Sequence, residues 1–154
     1  MGIVRIDHLE VYSRDIDRTV DFYVNTLGFT LWRRTESERD DGSNLQLACV
    51  RLGDMMVEII KAGPEVSDQT VDQARMGMRM FALRVDDMAK TVEYLESKGV
   101  EFFQAPRETA VFEGLRAEIL DPDGIRIELR EWQRGDSFYN DDWQPSRPNV
   151  TKLN

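Results

Sequence analysis

The sequence predicts an α+β protein: two tandem βαβββ modules forming an open eight-stranded, cup-shaped sheet with helices on the outside. Three observations predict it. The chain repeats itself, each copy moves from a two-residue to a 3.6-residue apolar period, and turn residues punctuate both copies at matching places.

The repeat is read by placing His8-Leu9-Glu10-Val11 over Met80-Phe81-Ala82-Leu83 without gaps. Asp15 then falls on Asp87, Thr19 on Thr91, Val20 on Val92, Asp21 on Glu93 and Phe22 on Tyr94, and Gly28 meets Gly99 after a shift of one. Further on, Gly53–Ile59 resembles Asp123–Leu129, with Glu58 over Glu128.

In the first copy, Ile6–Tyr12 alternates as a strand does. Asp15–Leu27 then places Ile16, Val20, Tyr23, Val24 and Leu27 on one helical face, with acids at its start and Gly28 where a helix stops. Strand-like runs follow at Phe29–Arg34, Asn44–Leu52 and Met55–Lys61, the first two separated by a polar, mobile loop, Glu36–Ser43. The second copy has its helix at Asp87–Lys98 and a tight turn, Asp121-Pro122-Asp123-Gly124, before its last strand. Module one therefore spans residues 1–61, the Gly63-Pro64 linker 62–76 and module two 77–131. The tail, 132–154, carries Trp132, Phe138, Tyr139 and Trp143, aromatic residues expected to dock on the body or on a partner subunit.

Alternation assigns faces. Each first and last strand is apolar on one side, which belongs under the helices. The other sides collect His8, Glu10, Glu58, Arg84, Arg126, Glu128 and Arg130. Periodicity alone allows such a face to be simply solvated; duplication allows two polar faces to share one concavity.

Composition narrows the function. A formal net charge of −9 over 154 residues, with basic residues scattered, argues against nucleic acid as a partner. Cys49 is the only cysteine, which suits a reducing compartment. No run approaches the roughly 20 apolar residues of a membrane span, and Met1–Asp7 does not read as a signal peptide. A cytoplasmic protein with no membrane partner is expected.

Residues 3–131 resemble the vicinal oxygen chelate superfamily, which includes glyoxalase I, bleomycin-resistance proteins, extradiol dioxygenases and methylmalonyl-CoA epimerase. Three stretches carry the likeness: Ile6–Leu9 with its Asp-Phe-Tyr helix and Leu27-Gly28-Phe29, then Phe81–Asp87, then Asp121–Leu129. The resemblance implies a divalent metal (Mn, Mg, Fe, Ni or Zn) held at the positions of His8, Glu58, Met80 and Glu128. His8, Glu58 and Glu128 match the family's ligand types, while Met80 stands where His is common and the chain has no second histidine. A thioether suits hard ions poorly, so a two-histidine iron site, and with it ring-cleaving dioxygenase chemistry, is not expected. Glu128 or Glu58 would serve as the proton-transferring carboxylate, with Met80, Arg84, Arg126 and Glu10 meeting the substrate.

Two functions compete. One is a metal-dependent isomerase, epimerase or lyase acting on a small oxygenated metabolite. The alternative is a non-catalytic, metal-free protein that binds an antibiotic or similar small molecule, with Met55, Met56, Met78, Met80, Phe103, Phe112 and Trp32 as adaptable apolar surface. Either is expected to be a homodimer, as many members of the family are.

Overall fold

A computed structural model of the chain describes residues 5–68, 77–108, 114–132 and 148. Its strands are β1 His8–Ser13, β2 Thr30–Glu38, β3 Asn44–Leu52, β4 Met55–Lys61, β5 Phe81–Arg84, β6 Phe102–Glu108, β7 Gly114–Leu120 and β8 Arg126–Trp132. Two α-helices, α1 Ile16–Asp21 and α2 Met88–Ser97, follow β1 and β5. Hydrogen bonding divides the strands into two four-stranded sheets, ordered β1-β4-β3-β2 and β5-β8-β7-β6. In each, the first and last strands of a module pair in parallel and the remaining pairs are antiparallel, so one topology occurs twice. The βαβββ repeat and the α+β class predicted from the sequence are both present. The chain divides into two compact units, the first comprising Met1–Thr70 with Asp121–Gly124, the second Val71–Leu120 with Ile125–Asn154.

In the first unit, Val11 on β1, Ala48 and Val50 on β3, and Val57 and Ile59 on β4 are buried on one sheet face. The α1 helix packs against β3 and β4 and adds Ile16 to the same core. In the second unit Ala117, Ile119, Ile127 and Leu129 form the matching apolar face, joined by Met88 and Leu95 of α2. Each of the Val, Ile, Leu and Met side chains among them contributes about 1.5–3 kcal/mol by leaving water. This burial fixes register, since a slip by one residue would exchange the apolar and polar faces.

Both helices start on an aspartate: Asp15 accepts from the Arg18 amide and Asp87 from the Lys90 amide. A glycine of positive φ follows each helical stretch, Gly28 at 78° after residues 16–27 and Gly99 at 76° after α2, where a side chain would be strained.

Two expectations need correction. The first helix does not run regularly to Leu27, because Phe22–Thr26 form a π-helical turn in which the Leu27 amide reaches back to the Phe22 carbonyl. The wider turn accompanies the complete burial of Tyr23, whose ring meets Phe22 and Phe29 edge-on and whose hydroxyl donates to Asp121. The loop of residues 36–43 is shorter than its polar composition implied. β2 continues to Glu38, with Glu36 opposite Gln46, and only Arg39–Ser43 turn the chain. Exposed strands on the rim of a sheet are polar on both faces, which removes the alternation used to find them. The tail from residue 133, apart from Pro148, lies outside the described residues, as do linker residues 69–76 and Phe112.

Buried polar groups bind Asp121–Gly124 to the first unit. Thr19 donates to Asp123 at 2.7 Å and pairs with Ser13 at 2.9 Å, and the Arg14 amide donates to Asp123 at 2.9 Å.

Candidate functional site

Parallel pairing of β1 with β4 sets Glu10 opposite Glu58 and His8 opposite Met56. Antiparallel pairing then continues the Glu58 row to Cys49 on β3 and Arg33 on β2. His8, Glu10 and Glu58 accordingly emerge on one face of the first sheet, away from its apolar core. His8 Nε2 lies 3.4 Å from Glu10 Oε1 and 3.9 Å from Glu58 Oε2. One ligand atom from each residue lies within 4.8 Å of the others.

The side chains around these three fix their roles. Asp7 accepts from His8 Nδ1 at 2.9 Å, which turns Nε2 toward the two glutamates. The same carboxylate pushes the imidazole above its usual range, partly opposed by desolvation and aided by Glu10 and Glu58. The Cys49 thiol donates to Glu58 Oε1 at 3.5 Å, and Arg33 NH2 stands 3.6 Å from the same oxygen. Glu58 thus has one oxygen held by Cys49 and Arg33 and the other directed to His8. Burial pushes the Cys49 thiol up, opposed by the Arg33 guanidinium and aided by the Glu58 carboxylate, so this cysteine is a neutral donor and not a nucleophile.

The donor set fits a divalent ion. Ligands about 2.1 Å from a cation stand about 3 Å apart when adjacent, so contacts of 3.4 and 3.9 Å close with small side-chain movements. One imidazole and two carboxylates are the chemistry such ions favour. Glu10, read from the sequence as a substrate contact, stands in this cluster.

The second sheet carries different chemistry at the equivalent places. Met80, where the repeat has His8, precedes β5, and Ala82, where it has Glu10, pairs with Glu128. Glu128 Oε1 accepts from Arg130 Nε at 2.8 Å and lies 2.6 Å from its NH2, while Oε2 lies 3.3 Å from Arg116 NH2. Next in the row is Glu118, completely buried, which accepts from Arg116 and from Arg126. Arg84 ends β5 in register with Arg130. Glu128, Arg126, Arg84 and Met80 therefore belong to the second unit, and His8, Glu10 and Glu58 to the first.

Asp7, Arg33, Cys49, Arg116 and Glu118 were not read from the sequence as site residues. Asp7 is signalled by its place beside a lone histidine. Glu118 is signalled by an acid inside the apolar alternation Leu115–Leu120. Of the apolar surface residues, Trp32 has the Arg51 guanidinium 3.6 Å from its ring centre and Phe103 has that of Arg126 at 4.6 Å, yet both rings remain exposed. Met78 and Met55 are exposed.

Comparison with known proteins agrees with this architecture. A relative in Arabidopsis thaliana, a probable chloroplastic lactoylglutathione lyase, is 29% identical over 137 residues, covering 82% of this chain; the chain spans only 35% of that protein's length. The protein YwkD of Bacillus subtilis (strain 168) is 30% identical over 132 residues, covering 85% of this chain and 99% of its own. The crystal structure of a glyoxalase family protein from Enterococcus faecalis superposes with a TM-score of 0.71 at 25% identity, over 82% of this chain and 97% of that one. The family model for the Glyoxalase/Bleomycin resistance protein/Dioxygenase superfamily matches residues 5–129, and the chain belongs to that superfamily.

Proposed function

We propose that the chain is a metal-dependent enzyme of the glyoxalase type, an isomerase, epimerase or lyase acting on a small oxygenated metabolite. The observation that carries this reading is the convergence of His8 Nε2, Glu10 and Glu58 on one sheet face. His8, Glu10 and Glu58 would hold the ion, with Glu10 supplying the ligand that Met80 does not. A bound divalent cation would stabilise negative charge developing on substrate oxygens. Asp7 keeps the imidazole lone pair turned toward that position, and Cys49 with Arg33 keeps one Glu58 oxygen occupied. Glu58 is the carboxylate assigned to proton transfer. Glu128, hydrogen-bonded to Arg130 through one oxygen and ion-paired with Arg116 through the other, is assigned to holding those arginines.

The test uses untagged protein, since a histidine tag would swamp a chain with one histidine. Elemental analysis and Mn²⁺ titration calorimetry should show one divalent ion per chain, with affinity lost in His8→Ala and reduced in Glu10→Gln and Glu58→Gln. A metal-free preparation whose melting temperature ignores both Mn²⁺ and EDTA removes the basis of the proposal. It would favour the second reading, a metal-free binding protein, which the thioether of Met80 at the fourth ligand position supports.

Cytoplasmic location and a homodimer complete the proposal. The location is supported by Cys49, buried and the chain's only cysteine, and the dimer by the resemblance to the superfamily. A sedimentation experiment giving a monomer at micromolar concentration would count against the dimer.

A further inference from the structure

Pairing in the second sheet places one arginine from every strand on a single line. Arg84 on β5 is in register with Arg130 on β8, Arg130 with Arg116 on β7, and Arg116 with Arg107 on β6. Like charges set directly opposite one another destabilise a sheet, so such a line needs negative partners. The neighbouring row, Ala82, Glu128, Glu118 and Gln104, supplies two carboxylates. Glu118 is shared between Arg116 and Arg126, with Arg79 also 3.8 Å away, and Glu128 between Arg130 and Arg116. The four carboxylate oxygens are thus already occupied; among the described residues Arg116 Nε is buried without an acceptor, and Gln104 Oε1 in the neighbouring row is buried without a donor. Buried donors are normally satisfied, and the guanidiniums of Arg79, Arg116, Arg126 and Arg130 share only two carboxylates, so N–H donors outnumber carboxylate oxygens here. Arg107, at the outer end of the line, is exposed.

We infer that this arginine line binds a small oxyanion, a carboxylate or phosphoryl group, with Glu118 and Glu128 as positioning residues that hold the guanidiniums in place. Guanidiniums suit this task because their planar N–H forks match both groups with paired hydrogen bonds. Sequence equivalence sharpens the contrast: the first copy has His8 and Glu10 where the second has Met80 and Ala82, so the duplicated sheets carry different chemistry. Assigning the anion to the enzyme's substrate rests on the proposed function; the anion site itself rests on the second sheet alone.

The experiment titrates full-length, untagged protein with inorganic phosphate and, separately, with malonate. It follows backbone amide and arginine Nε–H resonances by NMR. Saturable shifts centred on Arg116 and Arg130 are expected with at least one probe, and the stronger probe tells phosphoryl from carboxylate. Arg107→Gln, at an exposed position, should raise the dissociation constant about 3-fold while leaving the spectrum otherwise folded. Arg51→Gln, which removes the same charge from the first sheet, should leave it unchanged. The inference is overturned if neither probe gives saturable shifts, if Arg107→Gln has no effect, or if Arg51→Gln weakens binding equally. A Mn²⁺ titration of the same sample separates the two claims, since loss of metal binding with anion binding intact refutes only the catalytic reading.

Discussion

Replacing Glu118 by Gln preserves the shape of a completely buried side chain and removes its charge. Arg126 then loses its carboxylate partner, and Arg116 loses one of two. Breaking a buried ion pair from one side costs about 3–5 kcal/mol, because the remaining charge stays desolvated. Two features place this case at the lower end. Arg116 keeps Glu128 at 3.3 Å, and Arg126 keeps its stacking on Phe103 at 4.6 Å. The expected loss is therefore about 3 kcal/mol, or about 6–12 °C in Tm for a chain of this size. Urea denaturation should show the midpoint falling with an unchanged slope. If the two units melt separately, only one transition should move. Removing Arg126 as well, in Glu118→Gln with Arg126→Met, should return about 1 kcal/mol or more relative to the sum of the single changes. A single-mutant loss below about 1 kcal/mol, or strict additivity in the double mutant, would refute the account of Glu118 as the buried counter-charge.

Four further outcomes are expected. Gly114→Ala should be poorly tolerated, since φ is 137° and an added Cβ would lie 2.2 Å from the Glu131 carbonyl oxygen; a loss of more than about 2 kcal/mol by urea denaturation is expected, and a neutral variant would show that β7 and β8 can separate there. Thr19→Val keeps the volume but deprives Asp123 of a 2.7 Å hydrogen bond and leaves Ser13 without its partner, so about 1–3 kcal/mol of stability should be lost on thermal unfolding. Asp7→Asn should weaken Mn²⁺ binding about 10-fold or less by loosening His8, as the exposure of Asp7 limits its effect; titration calorimetry with unchanged affinity would remove Asp7 from the site. Cys49, fully buried with its thiol pushed up, should resist a thiol reagent at neutral pH in the native protein and react fully in denaturant; rapid native labelling would contradict its placement between Arg33 and Glu58.

Much of the fold was legible because duplication doubles every signal. Asp15 and Asp87 are both N-caps, Gly28 and Gly99 both stop helices, and Glu58 and Glu128 occupy the same strand position in two sheets. The apolar alternation of β1, β4 and β8 likewise identified which faces are buried, since only one register hides those residues from water. The π-helical turn and the true end of β2 were not legible. The first depends on how Tyr23 packs, and the second lies where both faces are solvated and no alternation remains.

By itself, then, the sequence determined the repeat, the strand and helix order, the polar face and its candidate residues, because periodicity and capping are local properties. Only the tertiary structure decided which of those residues meet. Cross-strand register brought Glu58 to His8 and Glu10, set Cys49 and Arg33 behind Glu58, and surrounded Glu128 and the buried Glu118 with arginines. Most of these partners come from different strands, and hydrogen-bond pairing between strands, invisible in any single segment, is what aligns them.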